Sequence, residues 1–444
     1  MSSLRSKLSR LSSVGPASFA DVRATSSNDA KTELLDDLRA RIESVIARSA
    51  ARVPAPPRAV DTEDLPFVTT ETPLGPLHVR THRLGVSHRT GRAPVLAART
   101  ASAELLALLA LDPSLAACDP SRALYLDTET TGLSGGTGTV AFLVGLAFWE
   151  RDGAGVLVVE QILVRALGEE APMLERVCSR IREASMLVTF NGKSFDMPLL
   201  RTRFVMARID APVEPPHLDL LHVARRLHKP RGVACNLTSI ERDVLGFERF
   251  DDTPSGEVSA CYLHFLRTGE TRALLGVVEH NGWDVVAMAS LVGLYGEPFD
   301  RAAGAAGWGG TQLVAADLVG VARTLRRAGD SALALDVANV AVERGAGTES
   351  LRARAEIAKA RGDRQRALHD FEEIVASVDD ARARLELAKL YEHFVKEPAL
   401  ALDLVERGTP EREDGTSKRK ARLRRKIERT TQTALPGVIA RNKC

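Results

Sequence analysis

Residues 124–132 read L-Y-L-D-T-E-T-T-G, and this stretch decides the fold. The run Ala123–Leu126 is apolar throughout and reads as a buried strand. The two acids that follow it, Asp127 and Glu129, are two residues apart, so on an extended chain they project to one face. Paired carboxylates at the end of a buried strand repel one another unless a cation compensates them. Downstream, N-G-K-S-F-D brings in Asp196 just after the apolar run Met186–Phe190, and H-N-G-W-D brings in Asp284. Four carboxylates in this order can hold two divalent ions, and oxygen ligands of this kind suit Mg2+ or Mn2+. Two such ions about 3.5–4 Å apart stabilise both the attacking and the leaving oxygen of a phosphodiester.

Around this centre the pattern is that of a mixed sheet. Val140–Trp149 and Gly155–Val164 are two more strand-like runs, joined to the first by a Gly-rich segment (Gly132–Gly138) and by the turn Arg151-Asp152-Gly153, so the three predict an antiparallel meander. Glu169–Ala184 then reads as a helix leading to the strand Met186–Phe190, which implies crossover helices packed on the sheet. Upstream, the β-rich stretch Pro66–Thr81, broken by Pro-Leu-Gly, predicts a hairpin preceding the main domain. Residues 1–30 are rich in Ser and Ala without periodicity and read as a tail, Lys31–Arg52 as an amphipathic helix, and Pro54, Pro56 and Pro57 as its end.

The last third is helical from Leu313 to Glu406 and repeats. L-R-R-A-G-D-S-A-L-A-L, A-K-A-R-G-D-R-Q-R-A-L and E-H-F-V-K-E-P-A-L-A-L align Gly329 with Gly362 and Lys396, and Ala334 with Ala367 and Ala401, at a period of 33 to 34 residues. That is the period of tetratricopeptide-type helix pairs, whose stacking buries an apolar stripe that one pair cannot bury alone. The expected layout is 1–60 tail, helix and Pro-rich linker, 61–300 an α/β domain with an N-terminal β extension, 311–408 helical repeats, and 409–444 a basic tail.

Composition narrows the class further. Sixty basic and fifty-eight acidic side chains leave a net charge of +2, so whole-chain charge does not announce nucleic acid. The basic charge is concentrated instead in K-R-K-A-R-L-R-R-K-I, residues 418–427, a stretch suited to a helix that follows phosphates. Five scattered cysteines have neither zinc-site nor disulfide-framework spacing, and no segment reaches the apolar length of a membrane span. A cytoplasmic protein with reduced thiols and no membrane partner is the expectation.

D-T-E-T-T-G-L, N-G-K-S-F-D-M-P-L-L, H-L-D-L-L and H-N-G-W-D-V-V, in this order, resemble the DEDD exonuclease superfamily of ribonuclease-H-like folds, and most nearly its YprB-type bacterial branch, in which tetratricopeptide-like repeats follow the nuclease-like domain. The resemblance covers roughly residues 65–408 and implies an α/β ribonuclease-H-like domain followed by an all-α repeat region. It implies that Asp127, Glu129, Asp196 and Asp284 bind two metal ions, with Asp127 bridging them, in a 3′-5′ exonuclease acting on single-stranded DNA or RNA ends. A helix over Thr271–Tyr295 sets His280 and Asp284 on one face at i and i+4, which makes His280 the candidate general base. In the superfamily a histidine in this role generally stands one residue farther from the last acid, and here it takes the spacing of the tyrosine found in other members. A loop-like start near Asn281-Gly282 is therefore expected to aim it. Asn191, Lys193 and Thr130 are candidate substrate contacts, and the repeats a candidate surface for a protein partner. Asp219, near a predicted helix start, has two readings, an addition to the acidic pocket and, the favoured one, a helix N-terminal carboxylate suited to the macrodipole. The alternative function is a catalytically inactive ribonuclease-H-like scaffold that binds nucleic acid or proteins through the repeats. Retention of all four acids favours the enzyme, because clustered negative charge with no ion to hold destabilises a fold.

Overall fold

Val68–Thr72 (β1) and Gly75–Leu84 (β2) form the hairpin that the Pro-Leu-Gly break predicts. The computed structural model describes residues 65–132, 138–151, 154–297 and 312–433. The tail and helix expected before residue 60, most of the Gly-rich segment and the last residues of the chain lie outside the described residues. A two-residue pair, Arg89–Thr90 (β3) with Ala93–Pro94 (β4), stands apart from the main sheet. The sheet itself adds Ala123–Thr130 (β5), Ala141–Trp149 (β6), Leu157–Leu163 (β7), Met186–Thr189 (β8) and His217–Asp219 (β9), in the order β1-β2-β7-β6-β5-β8-β9. The β5-β6-β7 meander is antiparallel as expected, while β5, β8 and β9 run parallel. The N-terminal hairpin does more than precede this domain: β2 pairs with β7 from His78 to Leu84 and so extends the sheet.

Helices cover both faces of the sheet. They are Ala103–Ala110 (α1), Ala171–Glu183 (α2), Asp196–Met206 (α3), Leu220–Leu227 (α4), Leu237–Ile240 (α5) and the later part of Arg272–Tyr295 (α7), while Val258–Thr268 (α6) belongs to a smaller compact unit. On β5 the side chains of Ala123 and Tyr125 enter one apolar cluster with α1, α4 and the Val285–Tyr295 part of α7, while Leu124 and Leu126 enter a second with α2 and α3. Asp127 and Glu129 continue the Tyr125 face by alternation. Because both faces are covered, β6 reads A-F-L-V-G-L-A-F-W with no polar alternation. The chain divides into two compact units: Pro66–Asp252 with the chain from Val278 onward, and a smaller one whose described residues are Leu65 and Thr253–Val277.

The C-terminal helices are Ala315–Arg327 (α8), Ser331–Glu343 (α9), Thr348–Ala360 (α10), Arg364–Ser377 (α11), Ala381–Leu390 (α12), Pro398–Glu406 (α13) and Glu413–Thr433 (α14). The three aligned positions share one conformation: Gly329, Gly362 and Lys396 have φ of +95°, +89° and +69°, each between the two helices of a pair. Ala334, Ala367 and Ala401 are each completely buried. A lysine in the left-handed region costs about 1–2 kcal/mol that glycine avoids, less the entropy glycine gains when unfolded. Lys396→Gly should therefore stabilise the protein by a net ~0.5–1 kcal/mol, measured as a rise in denaturant midpoint without a change in slope.

The first helix pair shares the core of the sheet. Leu318, Val321, Val337 and Ala341 belong to the same apolar cluster as Tyr125 and Val188. Gly320 lies so close to α4 that an added Cβ would meet the Leu227 carbonyl oxygen at 2.5 Å. His228 and Asp317, both fully buried, are joined by a 2.8 Å hydrogen bond from Nδ1 to Oδ1. At the other end the basic stretch is not a free tail. Leu423 on α14 is fully buried, and Arg422 and Lys426 donate to Glu392 at 2.7 and 2.8 Å. Burial would raise the Glu392 carboxyl, but these hydrogen bonds and the surrounding cations hold it down at about 2. Arg419 is engaged by Glu411 at 2.7 Å and Arg424 by Glu406 at 3.0 Å, so much of the charge expected to face phosphates is neutralised within the fold.

Candidate active site

Sheet register builds the site. Asp127 pairs across to Gly145, Gly145 to Gln161, and Gln161 to Arg80, which sets four residues from four strands in one row on one face. Helix α7 crosses this row with Asn281 above Gly145, where a Cβ would lie 2.3 Å from Asn281 Oδ1. The glycine is the space that the asparagine fills. Asn281 Nδ2 then donates to Asp127 Oδ2 at 2.9 Å, and Gln161 Nε2 donates to Asn281 Oδ1 at 3.0 Å and to the Val278 carbonyl at 2.6 Å. Arg80 completes the row by donating to Gln161 Oε1 at 3.2 Å. Gly145→Ala should displace Asn281, free Asp127 to rotate, and lower turnover at this site by ~10–100-fold. Its stability cost should be only ~1–3 kcal/mol; melting and turnover measured on the same preparation separate the two.

The four acids lie within electrostatic reach of one another. Burial, and then the charges of Asp284, Glu129 and Asp196, push the Asp127 carboxyl well above the usual carboxylate range. Burial also raises Glu129 to about 8, with the charges of His280 and Arg249 opposing. Its Oε1 is buried and, among the described residues, has no hydrogen-bond partner. Asp196 opens α3 and accepts from Thr128 Oγ1 at 2.5 Å, yet burial still lifts it to about 6. Ligand atoms of Glu129, His280 and Asp284 all lie within 4.8 Å of one another. A buried oxygen without a donor, among carboxyls held above their normal range, fits a divalent cation.

α7 runs without a break from Arg272 to Tyr295, so the loop-like start expected near Asn281-Gly282 is absent. Regular helical spacing suffices, because His280 Nε2 and Asp284 Oδ2 are already 3.6 Å apart. The other ring nitrogen, Nδ1, is 2.6 Å from Asp252 Oδ1. Burial alone would lower His280, but the Asp252 hydrogen bond and the charges of Asp284, Glu129 and Asp252 raise it to about 9. The almost completely buried Arg249 donates to both oxygens of Glu241 at 2.7 and 2.9 Å and to Asp284, and lies 3.2 Å from His280 Nδ1. Asp284 is thus held by Arg249 through Oδ1 and faces His280 with Oδ2.

The three candidate substrate contacts are placed differently. Thr130 Oγ1 donates to the Gly132 carbonyl at 3.0 Å. Asn191 sits at φ +72° with its backbone N–H on Asp219 Oδ1 at 2.8 Å, and the Lys193 N–H reaches Asp219 Oδ2 at 3.2 Å. Lys193 Nζ is 3.7 Å from Asp112. Asp219 also accepts from Leu221 N at 3.1 Å, so it caps α4, as read from the sequence, and fixes the loop that leads to Asp196.

Residues 124–295 match the model of the RNase_H superfamily. This segment is a ribonuclease-H-like domain. The chain is also 39% identical over 169 residues to "Uncharacterized protein YprB" of Bacillus subtilis (strain 168), a match covering 38% of this chain and 40% of that protein. The matched region therefore spans well under half the length of the curated relative. The ribonuclease-H-like segment carries a nuclease-type fold, and the helix-rich region follows it. Among the described residues, no helix is long and apolar enough to cross a membrane.

Gln161, Asn281, Arg249, Asp252 and Glu241 went unassigned in the sequence. Asn281 lies inside the H-N-G-W-D motif and was the most accessible of them. Gln161, a polar residue within an otherwise apolar strand, carried a weaker signal, and its meaning depends on register. Arg249 and Asp252 lie in a segment with no regular period.

Proposed function

We propose that residues 124–295 hydrolyse phosphodiester bonds at the ends of single-stranded DNA or RNA, as a 3′-5′ exonuclease using two divalent ions, Mg2+ or Mn2+. What supports the reading is the mutual electrostatic reach of four acids, one of which, Glu129, has a buried oxygen that no group among the described residues satisfies. Asp127, Glu129, Asp196 and Asp284 would hold the ions, which when bound polarise the phosphoryl oxygen and lower the pKa of water. Asn281 orients Asp127, Thr128 orients Asp196, and Arg249 orients Asp284, so three of the four carboxylates are fixed by hydrogen bonds before any ion arrives. His280 takes the proton of the attacking water, steered by Asp252.

Thr130, Asn191 and Lys193 contact the strand. Phe195, 54% exposed immediately before Asp196, adds a face on which a terminal base can stack. The 3′-5′ polarity rests on the family resemblance. The helices α10–α13, beyond those that share the core of the sheet, offer a surface for a protein partner.

The test is release of mononucleotides from end-labelled single-stranded DNA and RNA. EDTA should abolish release and Mg2+ or Mn2+ restore it; cleavage that persists undiminished in EDTA, or no cleavage of either polymer with either ion, overturns the reading.

A further inference from the structure

Arg80, His82 and Leu84 alternate onto the face of β2 that carries the Asp127 row, beside Val159 and Gln161 of β7. Helix α7 passes over them and leaves a cavity of about 300 Å³ between strands and helix. Its position relative to the carboxylates follows from helical geometry. His280, Asn281 and Asp284 face the acids, while Glu279, Gly282, Trp283 and Val286, rotated by about 100° per residue, line the cavity. The cavity and the acids therefore lie along one helix, and Gln161, which lines the cavity, is bonded to Asn281, which holds Asp127.

The lining is unusual in combining aromatic rings with cations. Trp283 and Phe247 supply flat apolar surface, and the Trp283 ring lies 5.6 Å from the Arg249 guanidinium carbon. Arg80 and Arg89 supply the positive charge at the rim, beside the imidazoles of His82 and His88 and against one acid, Glu279; burial holds His88 below the usual histidine range. A lipid chain would not call for the arginines, and an acidic peptide would not call for the rings. A volume of this size lies at the lower end of small-ligand pockets.

We propose that this cavity binds one nucleotide, with its base against Trp283 and Phe247 and its phosphate toward Arg80 and Arg89. The proposal deepens the nuclease reading and rests on it for the source of the nucleotide, either a released monophosphate or a unit of the bound strand. Base stacking on an aromatic ring contributes about 1–3 kcal/mol, and a positively charged rim adds phosphate attraction that weakens with salt.

The experiment is titration calorimetry in EDTA, with AMP and with a pentanucleotide of phosphorothioate linkages as the two probes. The wild-type protein should bind AMP, Trp283→Leu should weaken binding roughly tenfold, and Arg89→Ala should weaken it about threefold and flatten its salt dependence. Should Trp283→Leu fail to fold, Arg89→Ala and His82→Ala, both at exposed residues, carry the same comparison. Binding of the pentanucleotide alone, with the same dependence on the variants, supports the site and makes its ligand a unit of the strand. Binding of neither probe overturns the proposal, as does binding that all the variants leave unchanged. Because the ions are chelated, a protein that never cleaves can still pass, and one that cleaves with Mn2+ can still fail.

Discussion

Asp127→Asn is expected to lower hydrolysis by at least ~10³-fold and, in the same protein, to raise the melting temperature measured in EDTA. Asp127 is held well above its ordinary pKa by burial and by three neighbouring carboxylates. An acid whose folded pKa exceeds its unfolded value of about 3.9 binds its proton more tightly when folded, so its contribution to stability falls as pH rises from that value through the folded pKa. Glu129, at about 8, and Asp196, at about 6, slope the same way. The metal-free protein should therefore lose stability steadily between about pH 4 and 8, and asparagine at 127, which cannot ionise but can still accept from Asn281, removes part of that loss. Ions reverse the balance, because anything that binds only the folded state stabilises it by about 2.7 kcal/mol at a hundredfold excess over its Kd. Wild type should gain melting temperature on adding Mn2+ and Asp127→Asn should gain little. Thermal melts from pH 5 to 8, with EDTA and with Mn2+, check both halves; an undiminished Mn2+ response in the variant would remove Asp127 from the ion site.

Residues related by local geometry could be read from the chain. Asp127 and Glu129 share a face because strands alternate, His280 and Asp284 meet because helices repeat, and Gly329, Gly362 and Lys396 aligned because one turn recurs three times. Residues brought together by packing could not. Arg249 reaches Asp284 across 35 positions and Asn281 reaches Asp127 across 154, and no periodicity encodes either distance. Gly145 shows the limit most clearly: in sequence it is a glycine interrupting an apolar strand, and only the helix crossing above it explains why a side chain is excluded. The basic stretch at 418–427 is legible as a helix, but its partner Glu392 lies 30 residues from Arg422, inside a repeat, and so from sequence alone its charge reads as facing phosphates.

His280→Ala should slow turnover by on the order of 10²- to 10⁴-fold while leaving ion affinity close to that of wild type. The histidine is raised to about 9, with Asp252 bonded to one ring nitrogen and Asp284 facing the other. A histidine whose folded pKa exceeds its unfolded value of about 6.5 contributes stability that is complete below that value and lost as pH rises through about 9. In the metal-free protein it is therefore a cation at neutral pH and serves as the counter-ion of Glu129 and Asp284. To accept a proton it must first lose its own. On the proposed reading, ions that neutralise those two carboxylates would withdraw two of the influences that raise it, so that ion binding would also free the base. The pH–rate profile with Mn2+ should accordingly rise through a pKa well below the value that NMR titration finds for His280 in EDTA. Asp252→Asn keeps a hydrogen-bond acceptor beside Nδ1 but removes the charge; it should lower the NMR pKa and cost only about 10–100-fold in rate. High pH should partly rescue His280→Ala, because hydroxide needs no protein base. Wild-type turnover by His280→Ala at neutral pH would reduce the residue to its other role, a cation that keeps four carboxylates together until the ions arrive.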